Sequence, residues 1–341
     1  MFVSANLLLM GGLPFYDNYE LISFNDPNSS KEIPIDKDEK RRGGVGAILR
    51  HDTIVYCGGT NSKMLVKDGL CVNNGQKFPM QSQRLFSAGL KLNDSTFWIT
   101  GGMAKNDRNS LMSTEFVTLS GNKISSRKGP NLPTNFQTHC MIQMNSKSVL
   151  IIGGDIISNM TWIVDNPMDD FQINRGPSMI EARGKQCCGK FYIENKVVIV
   201  VAGGNYDPDE LSCELLDTTS IDNGWIPGPC LPFQVLSATM STSPDGKGVI
   251  LCGGYNATEE APSDLILELR GDSMKTLKWN VLPQKLKSPR HAHVSIPLSN
   301  GELEKILPQM DSQESNCASQ KSNRVGRLLN WMKFGVSTNQ R

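Results

Sequence analysis

The residues of this chain with chemistry to offer are four histidines, nine cysteines and several arginines that open short apolar segments. His291 and His293 alternate, so on a strand they share one face. Two imidazoles can hold a metal only with further donors, and no third ligand clusters with them. Structural packing is therefore their expected role, and no metal or cofactor is implied. Cysteines 57, 71, 140, 187, 188, 213, 230, 252 and 317 show no metal-site spacing. Adjacent Cys187 and Cys188 suit neither a zinc pair nor a local disulfide. Buried free thiols acting as small apolar side chains are the expectation. No pair of carboxylates or histidines stands out as acid and base. There is no phosphate loop and no serine-centred nucleophile elbow. Asn-x-Ser/Thr tripeptides begin at Asn28, Asn93, Asn159 and Asn256, a number that chance provides in an Asn-rich chain.

The elements that position these residues are read from one recurring stretch, an apolar run closed by two glycines. It occurs as Leu7-Leu8-Leu9-Met10-Gly11-Gly12, Ile54-Val55-Tyr56-Cys57-Gly58-Gly59 and Phe97-Trp98-Ile99-Thr100-Gly101-Gly102. It returns as Leu150-Ile151-Ile152-Gly153-Gly154, Val200-Val201-Ala202-Gly203-Gly204 and Ile250-Leu251-Cys252-Gly253-Gly254. The first glycines are separated by 47, 43, 52, 50 and 50 residues. Periods of this size mark repeat architectures. Around each copy four short strands, a to d, are expected, with the apolar run as strand b. Leu265-Ile266-Leu267-Glu268-Leu269 shows the alternation of a strand c. Strand d carries a large aromatic and a proline turn, as at Trp225 with Gly228-Pro229.

On these residues the sequence resembles the kelch-repeat β-propellers over about residues 2 to 298. The resemblance implies an all-β, six-bladed propeller. The first repeat supplies strands b to d, and His291 to Leu298 supplies the missing strand a, so the N- and C-terminal strands pair and close the ring. Residues 1–298 are thus one propeller. Residues 299–341 are expected to be a flexible, largely disordered tail, with a short amphipathic helix possible around Val325 to Val336. The Tyr-Asp pair of many kelch repeats is missing from strand c, which marks a divergent member.

In kelch propellers the b–c and d–a loops gather at one channel mouth. Arg42, Arg84, Arg183 and Arg290 open strands a there, and their forked donors suit carboxylates or an acidic peptide, unless each ties down a neighbouring backbone. Asn106, Arg108, Tyr206, Asp207, Tyr255 and Asn256, on the b–c loops, complete the expected binding set. Galactose oxidase shares this propeller type, but its tyrosine, cysteine and histidine set has no counterpart here. The resemblance implies a monomeric, non-catalytic scaffold that binds a protein partner. A sugar-acid enzyme similar to the six-bladed N-acetylneuraminate epimerases is one alternative, and an extracellular glycoprotein interaction domain is another.

Net charge is +1 and no apolar run approaches a membrane span, so neither nucleic acid nor membrane is an expected partner. Residues 1–10 lack a basic start and a small-residue cleavage site, so they are read as repeat and not as leader. A cytoplasmic location follows, with extracellular as the alternative. Cys57 and Cys71 lie on adjacent strands b and c. They form either a disulfide, if the register makes them face each other, or a pair of packed thiols.

Overall fold

The computed structural model describes residues 6–14, 18–26, 30–34, 41–60, 69–73, 76–104, 109–154, 157–204 and 211–308. Asn106, Arg108, Tyr206, Asp207, Cys317 and the expected helix around Val325 to Val336 lie outside them.

Within the described residues the chain folds into four-stranded antiparallel sheets that repeat one topology. The second sheet, for example, runs Arg42–Leu49, Thr53–Thr60, Leu70–Asn73 and Gln76–Pro79 from strand a to strand d. The third, fourth, fifth and sixth open with strands a at Ala88–Asn93, Cys140–Gln143, Cys187–Ile193 and Thr239–Thr242. The first is mixed: Asn6–Met10 pairs on one side with Asn18–Ser23 and on the other with Val294–Leu298, Asn6 opposite Leu298. Each strand a touches the next, and Val294–Leu298 touches both Arg42–Leu49 and Thr239–Thr242.

The strand b runs are continuously apolar because both faces of each sheet are covered. Leu7 and Leu9 pack toward the sixth sheet, against Ile250 and Ile266. Leu8 and Met10, on the opposite face, pack against Ile48 and Tyr56 of the second. Val198 and Val200 likewise meet Leu251 and Leu267, while Ile199 and Val201 meet Leu150 and Ile152. Each such side chain, fully buried, contributes about 1.5–3 kcal/mol. The core is thus a series of layers between sheets.

The glycine pair ends strand b because only glycine fits there. Gly203 has φ +64°, and a Cβ on it would lie 2.2 Å from the Val235 carbonyl oxygen. The N–H of the second glycine bonds across to the next repeat: Gly12 to Arg41, Gly59 to Arg84, Gly102 to Phe136, Gly154 to Arg183, Gly204 to Val235 and Gly254 to Arg290. The b–c turns and the starts of strands a therefore share one end of the sheets.

A second set of bonds runs just inside the first. Phe86 donates its N–H to Gly43, Thr138 to Phe86, Lys185 to Thr138, Ser237 to Lys185, Ala292 to Ser237 and Gly43 to Ala292, at 2.8–3.1 Å. All six residues are in the left-handed region, with φ from +52° to +64°. Five of them are not glycine, a conformation costing roughly 1–2 kcal/mol per residue. The returning bonds hold them there.

Residues 300–308 are helical. Ser299 and Glu302 form a reciprocal cap, Ser299 N–H to Glu302 Oε2 at 2.8 Å and Glu302 N–H to Ser299 Oγ at 3.3 Å. Leu303, Ile306 and Leu307 pack into the layer between the first and second sheets. The ordered structure thus runs past 298, the boundary expected from the repeat.

Candidate functional site

Arg84, Arg183 and Arg290 are fully buried, with no exposed donor to offer a partner. Arg84 Nη1 donates to the carbonyls of Gly101 and Ser113, at 2.6 and 2.8 Å, and its Nε meets Glu115 Oε1 at 2.6 Å. Arg183 repeats this with Gly203, Ser212 and Glu214. Arg290 does so with Gly11 and Glu20. Each guanidinium ties the d–a loop to strand c of its own sheet. Burial pulls the proton affinity of Arg84 down, and the Glu115 carboxylate opposes that pull. The sheets that open with Phe136 and Val235 carry no such arginine. There Trp162, opposite Ile151, and Leu267, opposite Leu251, take the glutamate's place in strand c.

Arg42 is not the fourth member of this set. Arg41 is, since its carbonyl accepts the Gly12 N–H and its Nη1 donates to Gly58 and Leu70 at 3.3 and 3.1 Å. Arg42 is displaced by one residue and half-buried, beside the bonded cycle at Gly43.

What lies around that cycle is the candidate site. Phe86, Thr138, Lys185, Ser237 and Ala292 are half-buried there, as are Arg42 and His291, each one residue before a cycle member. Burial holds His291 down at about 4, and Arg42 and Lys185 both push the same way, so the two cations act across the cycle on one imidazole. At neutral pH His291 is therefore a neutral hydrogen-bonding group. Tyr255 meets the His291 ring edge-on, centroids 5.4 Å apart.

The loop expected over 255–263 is itself folded. Tyr255–Asn256 pairs with Ala261–Pro262 and with Val235–Leu236. Asn256 is only 4% exposed, and its Oδ1 accepts the N–H of Thr258 and Glu259 at 3.0 and 3.2 Å. It shapes the loop from within and presents nothing outward, whereas Tyr255 is half-buried at the site.

At the other end of strands a, helix 300–308 walls a cavity of about 640 Å³, lined by Ala47, Ile48, Leu90, Ile296, His51 and Lys305 among others. His51 Nδ1 and Glu302 Oε1 are 3.0 Å apart at its edge. No sequence signal pointed to this space, because it exists only where helix and strands meet.

Cys57 and Cys71 are register partners, bonded with Sγ atoms 1.99 Å apart. A second disulfide joins Cys140 to Cys188, strand a of the fourth sheet to strand a of the fifth. This departs from the expectation of free thiols: Cys188 finds its partner 48 residues away, which adjacency to Cys187 hid. Cys187, Cys213 and Cys252 are buried thiols. Burial pushes Cys187 up to about 12, so it is inert as a nucleophile. Among the described residues no group of three or more His, Cys, Asp or Glu could hold a metal. No helix among them is long and apolar enough to cross a membrane.

Repeated four-stranded antiparallel sheets with covered faces define the class of this protein as an all-β, propeller-like fold. The solved structure titled "Structure of YjhT", a kelch-type propeller, is similar in fold with a TM-score of 0.61. The match covers 82% of this chain and 98% of that one, at 10% sequence identity. No family model and no curated protein matches the sequence.

Proposed function

We propose that this chain is a six-bladed, closed kelch-type propeller that acts as a non-catalytic scaffold, taking an acidic segment of a protein partner at the mouth around Gly43, Lys185 and Ala292. The six-membered hydrogen-bond cycle supports the blade number and the closure. The period and the Gly-Gly runs support the kelch assignment. The observation that carries the binding reading is that Lys185 is itself a member of the bonded cycle and Arg42 adjoins its member Gly43, so the backbone bonds set both cations at one rim. Two cations held by a rigid frame attract carboxylates and steer their approach. Tyr255 adds an amphipathic contact beside them.

The test is a titration of labelled poly-glutamate against the full chain at several salt concentrations. Binding should weaken as salt rises. Arg42→Glu combined with Lys185→Glu should cut affinity at least about tenfold, near 1.4 kcal/mol, with the denaturation midpoint unchanged. A variant that binds as well as the parent would remove this mouth as the site.

A further inference from the structure

Two disulfides, one within a sheet and one between sheets, are bonds that persist in oxidising compartments. A chain that acquires them there also meets the machinery that glycosylates Asn-x-Ser/Thr. Of the four such tripeptides, the one at Asn28 lies outside the described residues. Asn256 is buried, its side chain engaged with its own loop and its backbone paired with Val235. A glycan on its Nδ2 has no space.

Asn93 and Asn159 differ. Both are exposed. Asn93 ends a strand a at a tight hairpin, opposite Thr96. Asn159 lies in a b–c loop, its Nδ2 only 3.4 Å from the Met179 carbonyl. A separate observation concerns the surface around them. Eight large apolar side chains are exposed among the described residues, and four of these stand beside the two asparagines. Met168 Sδ is 3.5 Å from Asn93 Nδ2. Ile157 and Met160 flank Asn159 in sequence, and Ile180 follows its contact Met179. A bulky, solubilising glycan at either asparagine would lie over these side chains.

We propose that Asn93 and Asn159 carry N-linked glycans and that Asn256 does not. In the reaction the amide Nδ2 attacks C1 of an oligosaccharide carried on a polyisoprenyl diphosphate. The N–C bond forms, the C–O bond to the diphosphate breaks, and the amide gives up one proton. No redox change is involved. The buried Thr161 of the second site requires modification before that blade closes. The compartment is then the extracellular alternative and not the cytoplasmic one.

The test is peptide mapping of the native protein after release by a peptide N-glycosidase (an amidase) in ¹⁸O water, which hydrolyses the Asn side-chain amide and marks each formerly glycosylated Asn as labelled Asp. Label is expected at 93 and 159 and absent at 256. Non-reducing digestion should also yield the 57–71 and 140–188 linked peptides. Unlabelled peptides at 93 and 159, or label at 256, overturn the proposal. When the full chain is secreted from a eukaryotic host, Asn93→Gln and Asn159→Gln should each remove one glycan step on a gel. A ladder unchanged by both substitutions counts against it equally.

Discussion

At the scale of single residues, the histidines set how this protein responds to acid. His139 is buried, its Nε2 2.7 Å from Thr100 Oγ1, and burial first, then Arg84, holds it down at about 3. His291 and His293 are shifted in the same direction, again chiefly by burial. A histidine with a depressed folded pKa contributes fully above its unfolded value of 6.5, and that contribution is lost as pH falls from there toward 3. Stability should therefore drop below about pH 6.5. For His139 alone the loss at pH 5 is about 2 kcal/mol. His139→Gln keeps a partner for Thr100 without a titrating group. Urea unfolding at pH 7 and pH 5 should show a smaller pH difference for this variant than for the parent. Equal slopes would mean that the imidazole is hydrated inside the fold.

At the scale of the element, Arg41, Arg84, Arg183 and Arg290 each hold their own d–a loop on strand c. Removing one partner of a fully buried pair leaves an uncompensated charge, at about 3–5 kcal/mol. Arg84→Ala should therefore lower the unfolding free energy by that amount, with Glu115 left at 0% exposure. Arg42→Ala, at a half-buried position outside the set, should cost less than about 1 kcal/mol. Comparable losses for both would contradict the division between ties and rim. Much of this level was legible in the sequence. The Gly-Gly runs marked every strand b, since a backbone turn that admits no Cβ leaves a residue type behind. The arginines were legible as a recurring position, but their carboxylate partners were not recognised. Yet Glu115 and Glu214 each stand 31 residues after their arginine, and the repeats opening with Phe136 and Val235 lack both members. Arg41 and Arg42 could not be told apart, because a one-residue offset is fixed by hydrogen bonds and not by composition. Helix 300–308 also had a signal, Ser299-x-x-Glu302 ahead of Leu303, Ile306 and Leu307, which stands outside the repeat period. The 140–188 disulfide had none, since its geometry depends on how two sheets face each other.

At the scale of the whole molecule, the first sheet depends on both regions of the chain that form it. A chain stopped at 287 loses Val294–Leu298 and bares the edge of Asn6–Met10, whose five residues are all buried. An exposed apolar edge strand pairs with other chains. Light scattering should show aggregation, and a monomer that melts as the parent does would mean that Asn6–Met10 has found another cover. The cycle through Gly43, Phe86, Thr138, Lys185, Ser237 and Ala292 has a further consequence, in dipoles. In a helix the peptide dipoles add along an axis and leave a partial positive pole at the N-terminus. Here each bond hands on to the next around a circle, so every member is polarised by a neighbour and none is terminal. The circulating components cancel, so the cycle itself adds no net dipole in its plane. Arg42 and Lys185 draw an approaching anion through a field that salt at 0.1 M screens within about 10 Å.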